Sequence, residues 1–371
     1  MKEKMKGYIK HGLGFKTKRK LVIFESDDWG SIRIPDAASY ELLKEKGLAT
    51  SDPSNADFRY QKYDSLATAK DLERLFEVLH SVKDVHGNPA KFTPVSNVAN
   101  PDFKAIEASG YKKYSAVNFF DQLKEWGEHA TIDLWMEGQA QGFFYPEFHG
   151  REHLNVAKWM RALQAGDERV LEGFHKGYFA VSIPGDSNGY VASYDYRDDE
   201  EIEQLKAITA DGLELFEANF GRRSTYFVPP NGPYSTKLNG TLKDLGIEAI
   251  QTARLVVNEP VGKGKVKKRL RVFGSTSKEG LVYTQRNAFF EPNEQASFDW
   301  IDLCMRNLEE AFAFGKPAMV STHRVNYSGR LSETNRDQSL AALQELLKRM
   351  IAKWPDVEFL TSAELLRIMK F

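Results

Sequence analysis

Apolar positions along the chain fall into two rhythms. Residues 21–24, 91–98, 225–228, 247–252, 318–322 and 357–360 form short runs rich in apolar and β-branched side chains. Such runs predict strands buried on both faces. Between them, 37–46, 69–82, 119–128, 200–220, 235–245, 296–314 and 337–354 carry apolar residues three and four apart, as amphipathic helices do. In 200–220 the stripe is Ile202, Leu205, Ile208, Leu213 and Phe216. Two more β-rich runs are 143–148, leading into His149, and 178–183. Gly246 stops one helix, and Ser362 is expected to cap the last. Strand and helix alternate throughout, with no linker rich in Pro, Gly or Ser. The pattern therefore predicts an α/β fold with a parallel sheet or barrel, as a single domain over 1–371. The segment 183–197 reads as a long loop, and 255–291 as a β-rich insertion.

Composition narrows the function classes. The 371 residues are 42% hydrophobic and 12% aromatic, enough for a substantial core. The net charge of −1 provides no general attraction to nucleic acid. Basic residues cluster locally in the 1–19 extension (Lys2, Lys4, Lys6, Lys10, Lys16, Lys18, Arg19, then Lys20) and at Lys263, Lys265, Lys267, Lys268, Arg269 and Arg271. A solvated tail and hairpin account for both clusters; contact with an anionic polymer or membrane surface is the alternative. The one cysteine, Cys304, excludes an intrachain disulfide and fits a reducing compartment. No leader pattern follows the N-terminal charges and no stretch reaches membrane-spanning length, so the expected location is cytoplasmic.

In α/β barrels the chemistry sits at the C-terminal ends of the strands. Here the polar residues ending predicted strands are Asp27, Asp28, Asn97, the 147–153 segment, Asn231 and His323. His149 and His153, four apart, share one face of a helical turn and can reach one cation; a surface or capping role is the alternative. Asp27-Asp28 is either a turn with an N-cap or a carboxylate pair needing a counter-charge, which a cation supplies. Two imidazoles and one carboxylate leave coordination positions open, as catalysis requires. His323 is either a hydrogen-bonded rim histidine or a general acid.

These segments, in this order, resemble the polysaccharide deacetylase family. Phe24-Glu25-Ser26-Asp27-Asp28-Trp29-Gly30 is similar to its strand ending in Asp-Asp-Gly, with Trp29 inserted. His149-Gly150-Arg151-Glu152-His153 is similar to its His-Ser/Thr-x-x-His. Phe227-Val228-Pro229-Pro230-Asn231-Gly232 is similar to its Phe-Arg-Pro-Pro-Tyr-Gly, and Met319-Val320-Ser321-Thr322-His323 to its last strand. The resemblance implies a distorted (β/α) barrel with about seven strands. It implies metal ligands Asp28, His149 and His153, a general base Asp27, a general acid His323, and an oxyanion donor in the backbone N–H of Asn231. The implied cofactor is a divalent cation, zinc first, with cobalt, nickel or manganese as alternatives. The implied reaction is removal of an N-acetyl group from a carbohydrate. Val228 stands where the family has an arginine paired with the base, and Arg33, Arg286 and Arg324 are the candidates to replace it. Asn231 replaces the family tyrosine. Two other functions stay open: an amidase or deformylase on a non-sugar amide, and a carbohydrate-binding barrel without catalysis. Trp29, Trp135, Phe143, Phe144, Tyr145, Phe289 and Phe290 are either sugar-stacking or core residues, and Glu147 and Glu152 either orient an imidazole or are solvated.

Overall fold

The computed structural model describes residues 13–186, 188–252, 256–260, 265–295 and 297–370, side chains at 256–258 and 260 aside. Lys2, Lys4, Lys6 and Lys10 of the basic extension, and Lys263 of the second basic run, lie outside the described residues. We number the strands of the main sheet in chain order: β1 (Lys20–Trp29), β2 (Phe92–Ser96), β3 (Glu147–Phe148), β4 (Tyr226–Phe227), β5 (Ala249–Thr252), β6 (Val282–Gln285), β7 (Ala288–Phe289), β8 (Ala318–His323) and β9 (Val357–Phe359). Eight stand in the row β6-β5-β4-β3-β2-β1-β8-β7, and β9 joins the beginning of β1. Every pairing in this sheet is parallel.

Parallel strands need crossovers, and helices on the outer surface bury the sheet from that side. This is why the strand runs are apolar without alternation: Leu21, Val22, Ile23 and Phe24 are all fully buried. The topology also forces the sheet to curl. β6 and β7 end opposite sides of the row, yet only Arg286 and Asn287 connect them. So short a link spans about 10 Å, so the two edges must meet. Asn287 secures the joint, accepting from the Met319 N–H and donating to the Pro317 carbonyl of the β8 side. The result is a distorted (β/α) barrel, closed by the chain itself between β6 and β7.

Several expectations need correction. The run 178–183 is not a strand; Tyr178, Phe179 and Val181 pack into a second apolar cluster with Trp159 and Phe174, so burial rather than pairing explains their character. The 255–291 segment is only partly an insertion. Val256–Pro260 and Val266–Leu270 form an antiparallel hairpin, but β6 and β7 inside the same stretch are barrel strands, completing a row of eight in line with the expected distorted barrel of about seven. Within the second basic run Arg269 bonds Glu259 at 2.6 Å, and Arg271 is buried over the Tyr234 and Tyr283 rings. Residues 235–245 divide into a 3-10 turn, Thr236–Leu238, and a short helix, Asn239–Asp244. The last helix is capped by Thr361, not Ser362, with Glu364 completing a capping box. The helices Phe58–Tyr63, Phe103–Ala108, His129–Gln141, Val156–Gln164 and Glu168–Phe174 were not expected, nor was the hairpin of Ala99–Pro101 with Ala116–Asn118.

Candidate metal and catalytic site

In a regular strand Asp27 and Asp28 would point to opposite faces. β1 avoids this because its register against β2 shifts between Ser26 and Trp29, and Asp28 adopts a left-handed backbone with φ of 70°. Aspartate tolerates that conformation better than most residues, and the bulge brings both carboxylates to one pocket. Gly30 completes the turn with φ of 79°; a Cβ there would lie 2.0 Å from the Asn97 carbonyl oxygen. No other residue fits so close to β2.

The histidine pair is brought together differently from the expectation. The segment after β3 is not helical. Gly150, with φ of 99°, bends it, and Asn97 donates to the His149 and Gly150 carbonyls at 3.0 and 3.3 Å. Val98 and Ala99 N–H groups both donate to the Arg151 carbonyl. The two imidazole centroids end 5.3 Å apart. Asp28 Oδ1 is 3.0 Å from His153 Nε2 and 3.4 Å from His149 Nε2, with all three side chains buried. The three residues offer ligand atoms lying within 4.8 Å of one another, so they can hold a metal ion.

The chemistry of the donors fits a cation. His149 Nδ1 donates to the Val228 carbonyl at 2.7 Å, which fixes the tautomer and leaves the Nε2 lone pair free. His149 Nε2 and His153 Nδ1 are buried with no hydrogen-bond partner among the described residues, a costly state for a nitrogen with nothing to bind. Burial pushes the His153 imidazole down to about 4 against the pull of Asp28, keeping it neutral at pH 7. Burial would raise the Asp28 carboxyl, but the two histidines outweigh it and hold it well below the usual range.

Asp27 has a separate partner. Arg286, from the β6–β7 joint, donates to Asp27 Oδ1 and Oδ2 at 2.5 and 2.6 Å and to Glu25 at 2.7 Å. Of the three arginines considered for the place of Val228, Arg286 therefore pairs with Asp27. Arg324 is instead locked to Asp64 at 2.6 Å and donates to the Ser31 carbonyl, while Arg33 bonds no carboxylate among the described residues. Burial opposes ionisation of Asp27, but Arg286 prevails and lowers its pKa below the ordinary value. Across the pocket His323 Nε2 lies 3.9 Å from Asp27 Oδ2, and its Nδ1 meets Glu291 at 2.5 Å. Glu291 also accepts from Arg59 at 2.7 Å and Asn326 at 2.9 Å. Burial would lower the His323 pKa, yet the Glu291 carboxylate raises it above the ordinary histidine value. Glu291 itself, despite burial, is held down to about 2 by His323 and Arg59.

Asp27, Asp28, His149, His153, Asn231 and His323 all line one cavity of about 360 Å³. Asn231 sits in a left-handed turn with φ of 56°, just after two prolines that carry no N–H, and nothing among the described residues accepts from its amide. The expected second-layer glutamates do other work. Glu147 accepts from Ser224, Thr225 and Tyr226 and ties β3 to β4, and Glu152 accepts from Arg151. Of the aromatics, only Phe289 both lines the cavity and is exposed, at 42%. Trp29, Trp135, Phe143, Phe144 and Phe290 are core residues, and Tyr145 packs under Arg222. Glu25, Arg59 and Glu291 have no role legible in the sequence, and Arg286 stands there only as one of three candidate arginines, because none ends a predicted strand within a recognisable motif.

No protein-family model matches the sequence, and no curated protein does. Solved structures similar to the chain include one from Mycobacterium smegmatis assigned as a polysaccharide deacetylase, with 14% identity over 96% of this chain and 93% of that one and a TM-score of 0.45. An allantoinase shares 12% identity over 94% and 90% of the two chains, with a TM-score of 0.48. One from Pseudomonas aeruginosa, assigned as a polysaccharide deacetylase, shares 11% over 94% and 91%, also with a TM-score of 0.48.

Proposed function

We propose that this protein is a metal-dependent amide hydrolase that removes an N-acetyl group from a carbohydrate. One observation carries the proposal: a single cavity gathers a buried Asp-His-His cluster, a carboxylate oriented by an arginine, and a histidine raised in pKa by a glutamate. A pure binding site has no need of the last two. The carbohydrate assignment rests on the motif resemblance, with Phe289 available to stack on a sugar face.

Asp28, His149 and His153 would hold the cation, which when bound would polarise the amide carbonyl and acidify a water. Nitrogen and carboxylate donors together suit zinc, and also cobalt, nickel or manganese. Asp27, fixed by Arg286, takes a proton as the water oxygen bonds to the carbonyl carbon. The free N–H of Asn231 donates to the developing oxyanion. His323, whose pKa Glu291 raises, delivers its proton to the amide nitrogen as the C–N bond breaks, and acetate and an amine leave. In this proposal residues 1–371 are a single barrel domain with loop insertions. Among the described residues no helix is long and apolar enough to cross a membrane, and the buried thiol of Cys304 supports a reducing, cytoplasmic setting.

Elemental analysis of wild type beside Asp28→Ala and His153→Ala, with acetate release from N-acetylated sugars, tests this. The wild type should carry about one equivalent of a divalent transition metal and release acetate; both variants should lose both. Wild type that takes up no metal even when supplied with zinc, or a His153→Ala protein with full activity, would refute the ligand set. Metal with turnover of non-sugar amides alone would replace the carbohydrate by another amide.

A further inference from the structure

Four of the five carboxylates and arginines buried or half-buried in this cavity wall are accounted for. Asp27 is matched by Arg286, Asp28 by two histidines, and Asp186 by Lys158. Arg33 differs. It lies just beyond β1, is only 7% exposed, lines the same cavity, and forms no ion pair or hydrogen bond through its guanidinium among the described residues. The one remaining carboxylate of the lining, Asp57, is exposed at the rim and does not bond it.

Its position is not an accident of a loose loop. The Ile32 N–H donates to the Asn100 side chain at 2.7 Å and the Ile34 N–H to the Asp64 carbonyl at 3.1 Å, so the backbone is pinned on both sides. The guanidinium lies 5.6 Å from the Tyr60 ring centroid and 5.9 Å from that of Phe179, at the far limit of cation–π attraction. Tyr60 in turn meets the His323 ring edge-on. Taking a guanidinium out of water without a partner is unfavourable, and rings at that range return little of the loss. Asp64 acts on it only through space and is bonded instead by Arg324, so Arg33 is a fixed, forked donor with no direct carboxylate partner among the described residues, and it suits the oxyanion of a ligand.

We propose that Arg33 recognises a carboxylate or phosphate carried by the substrate, so that the amide cleaved here belongs to an acidic molecule, a sugar acid or sugar phosphate. This rests on the hydrolase function proposed above for its substrate, but not for the anion site itself. The neutral acetamido sugars are poor substrates, and the charge on the true substrate selects it.

The test compares the metal-supplemented wild type with Arg33→Gln in two arms. The first measures kcat/KM for N-acetylglucosamine, its 6-phosphate and N-acetylmuramic acid. In the wild type at least one acidic sugar should exceed the neutral one by about tenfold or more, and in Arg33→Gln that ratio should fall toward one. Preference for the phosphate or the carboxylate names the anion. The second arm titrates inorganic phosphate calorimetrically; wild type should bind at least about tenfold tighter than the variant. Arg33→Gln should also melt at a higher temperature than the wild type without phosphate, since it removes an unpaired charge. A lower melting temperature with no change in either arm would make Arg33 a stacking residue and overturn the anion site. Cleavage of none of the sugars, with phosphate binding still dependent on Arg33, would sink the carbohydrate hydrolase and leave the anion site standing. No difference between the two proteins in either arm overturns it outright.

Discussion

Two arginines line the same cavity, and they are treated in opposite ways. Arg286 comes from the two-residue joint that closes the barrel and makes three bonds to carboxylate oxygens, two on Asp27 and one on Glu25. Arg33 comes from the turn after β1 and makes none. The first sits where buried carboxylates already demand a counter-charge, so it belongs to the protein's own stability and to the orientation of Asp27. The second feels Asp64 only through space and forms no ion pair among the described residues, so a direct partner would have to come from solution. Burial is nearly equal for the two, with side-chain exposure of 8% for Arg286 and 7% overall for Arg33; pairing, not depth, separates their roles.

The largest effect should come from removing the paired member. Arg286→Met strands Asp27 and Glu25 as buried carboxylates, and should cost about 3–5 kcal/mol in denaturant unfolding while reducing turnover more than a hundredfold, roughly. With the guanidinium gone, only the weaker pull of His149 and His323 opposes burial at Asp27, and its pKa should rise. A variant as stable as the wild type would erase the distinction between the two arginines. The same logic of pairing applies at His323. Glu291→Gln removes the largest influence raising His323, leaving only Asp27 and Asp28 against burial, so its pKa falls. The general acid must be protonated, so activity is lost as pH rises through that pKa, and the alkaline limb of kcat should move to lower pH. The fall at mildly alkaline pH should be roughly tenfold; an unmoved limb would remove His323 as the acid. Arg33→Gln should be stabilising, by about 1 kcal/mol, opposite in sign to Arg286→Met. The smallest effect belongs to Asn231→Ala, about threefold or less in kcat, because the backbone N–H and not the amide side chain serves the oxyanion; the change is small because a non-glycine residue already holds this left-handed turn, at a cost of about 1 kcal/mol for alanine. A loss of more than a hundredfold there would assign the chemistry to the side chain.

Much of this was legible in the chain. The apolar runs of β1, β2, β5, β8 and β9 announced buried parallel strands because both faces of each are covered. The carboxylates and histidines at their ends could be picked out by position alone. β6 and β7 read from the sequence as part of an insertion: β7 has two residues, Ala288 and Phe289, too few for any period, and the run 178–183 looked like a strand because burial in a side cluster selects the same residues. Glu291 was invisible, and Arg286 could not be chosen among three arginines, for a different reason. Arg286 is 259 residues from Asp27 in the chain, and Glu291 is 32 from His323; a lone charged residue in a loop carries no local signal of what it will meet.

The sequence by itself determined the α/β rhythm, the polar residues at the strand ends and the ligand types, since these depend on local pattern and side-chain chemistry. The tertiary structure decided the rest. The bulge at Asp28 turned two neighbouring carboxylates into one pocket, the bend at Gly150 and not a helix joined the histidines, and the meeting of the sheet edges delivered Arg286 to the base. Each depends on distant chain brought close by closure of the barrel, and electrostatic partnership falls off too steeply with distance to be read before that closure is known.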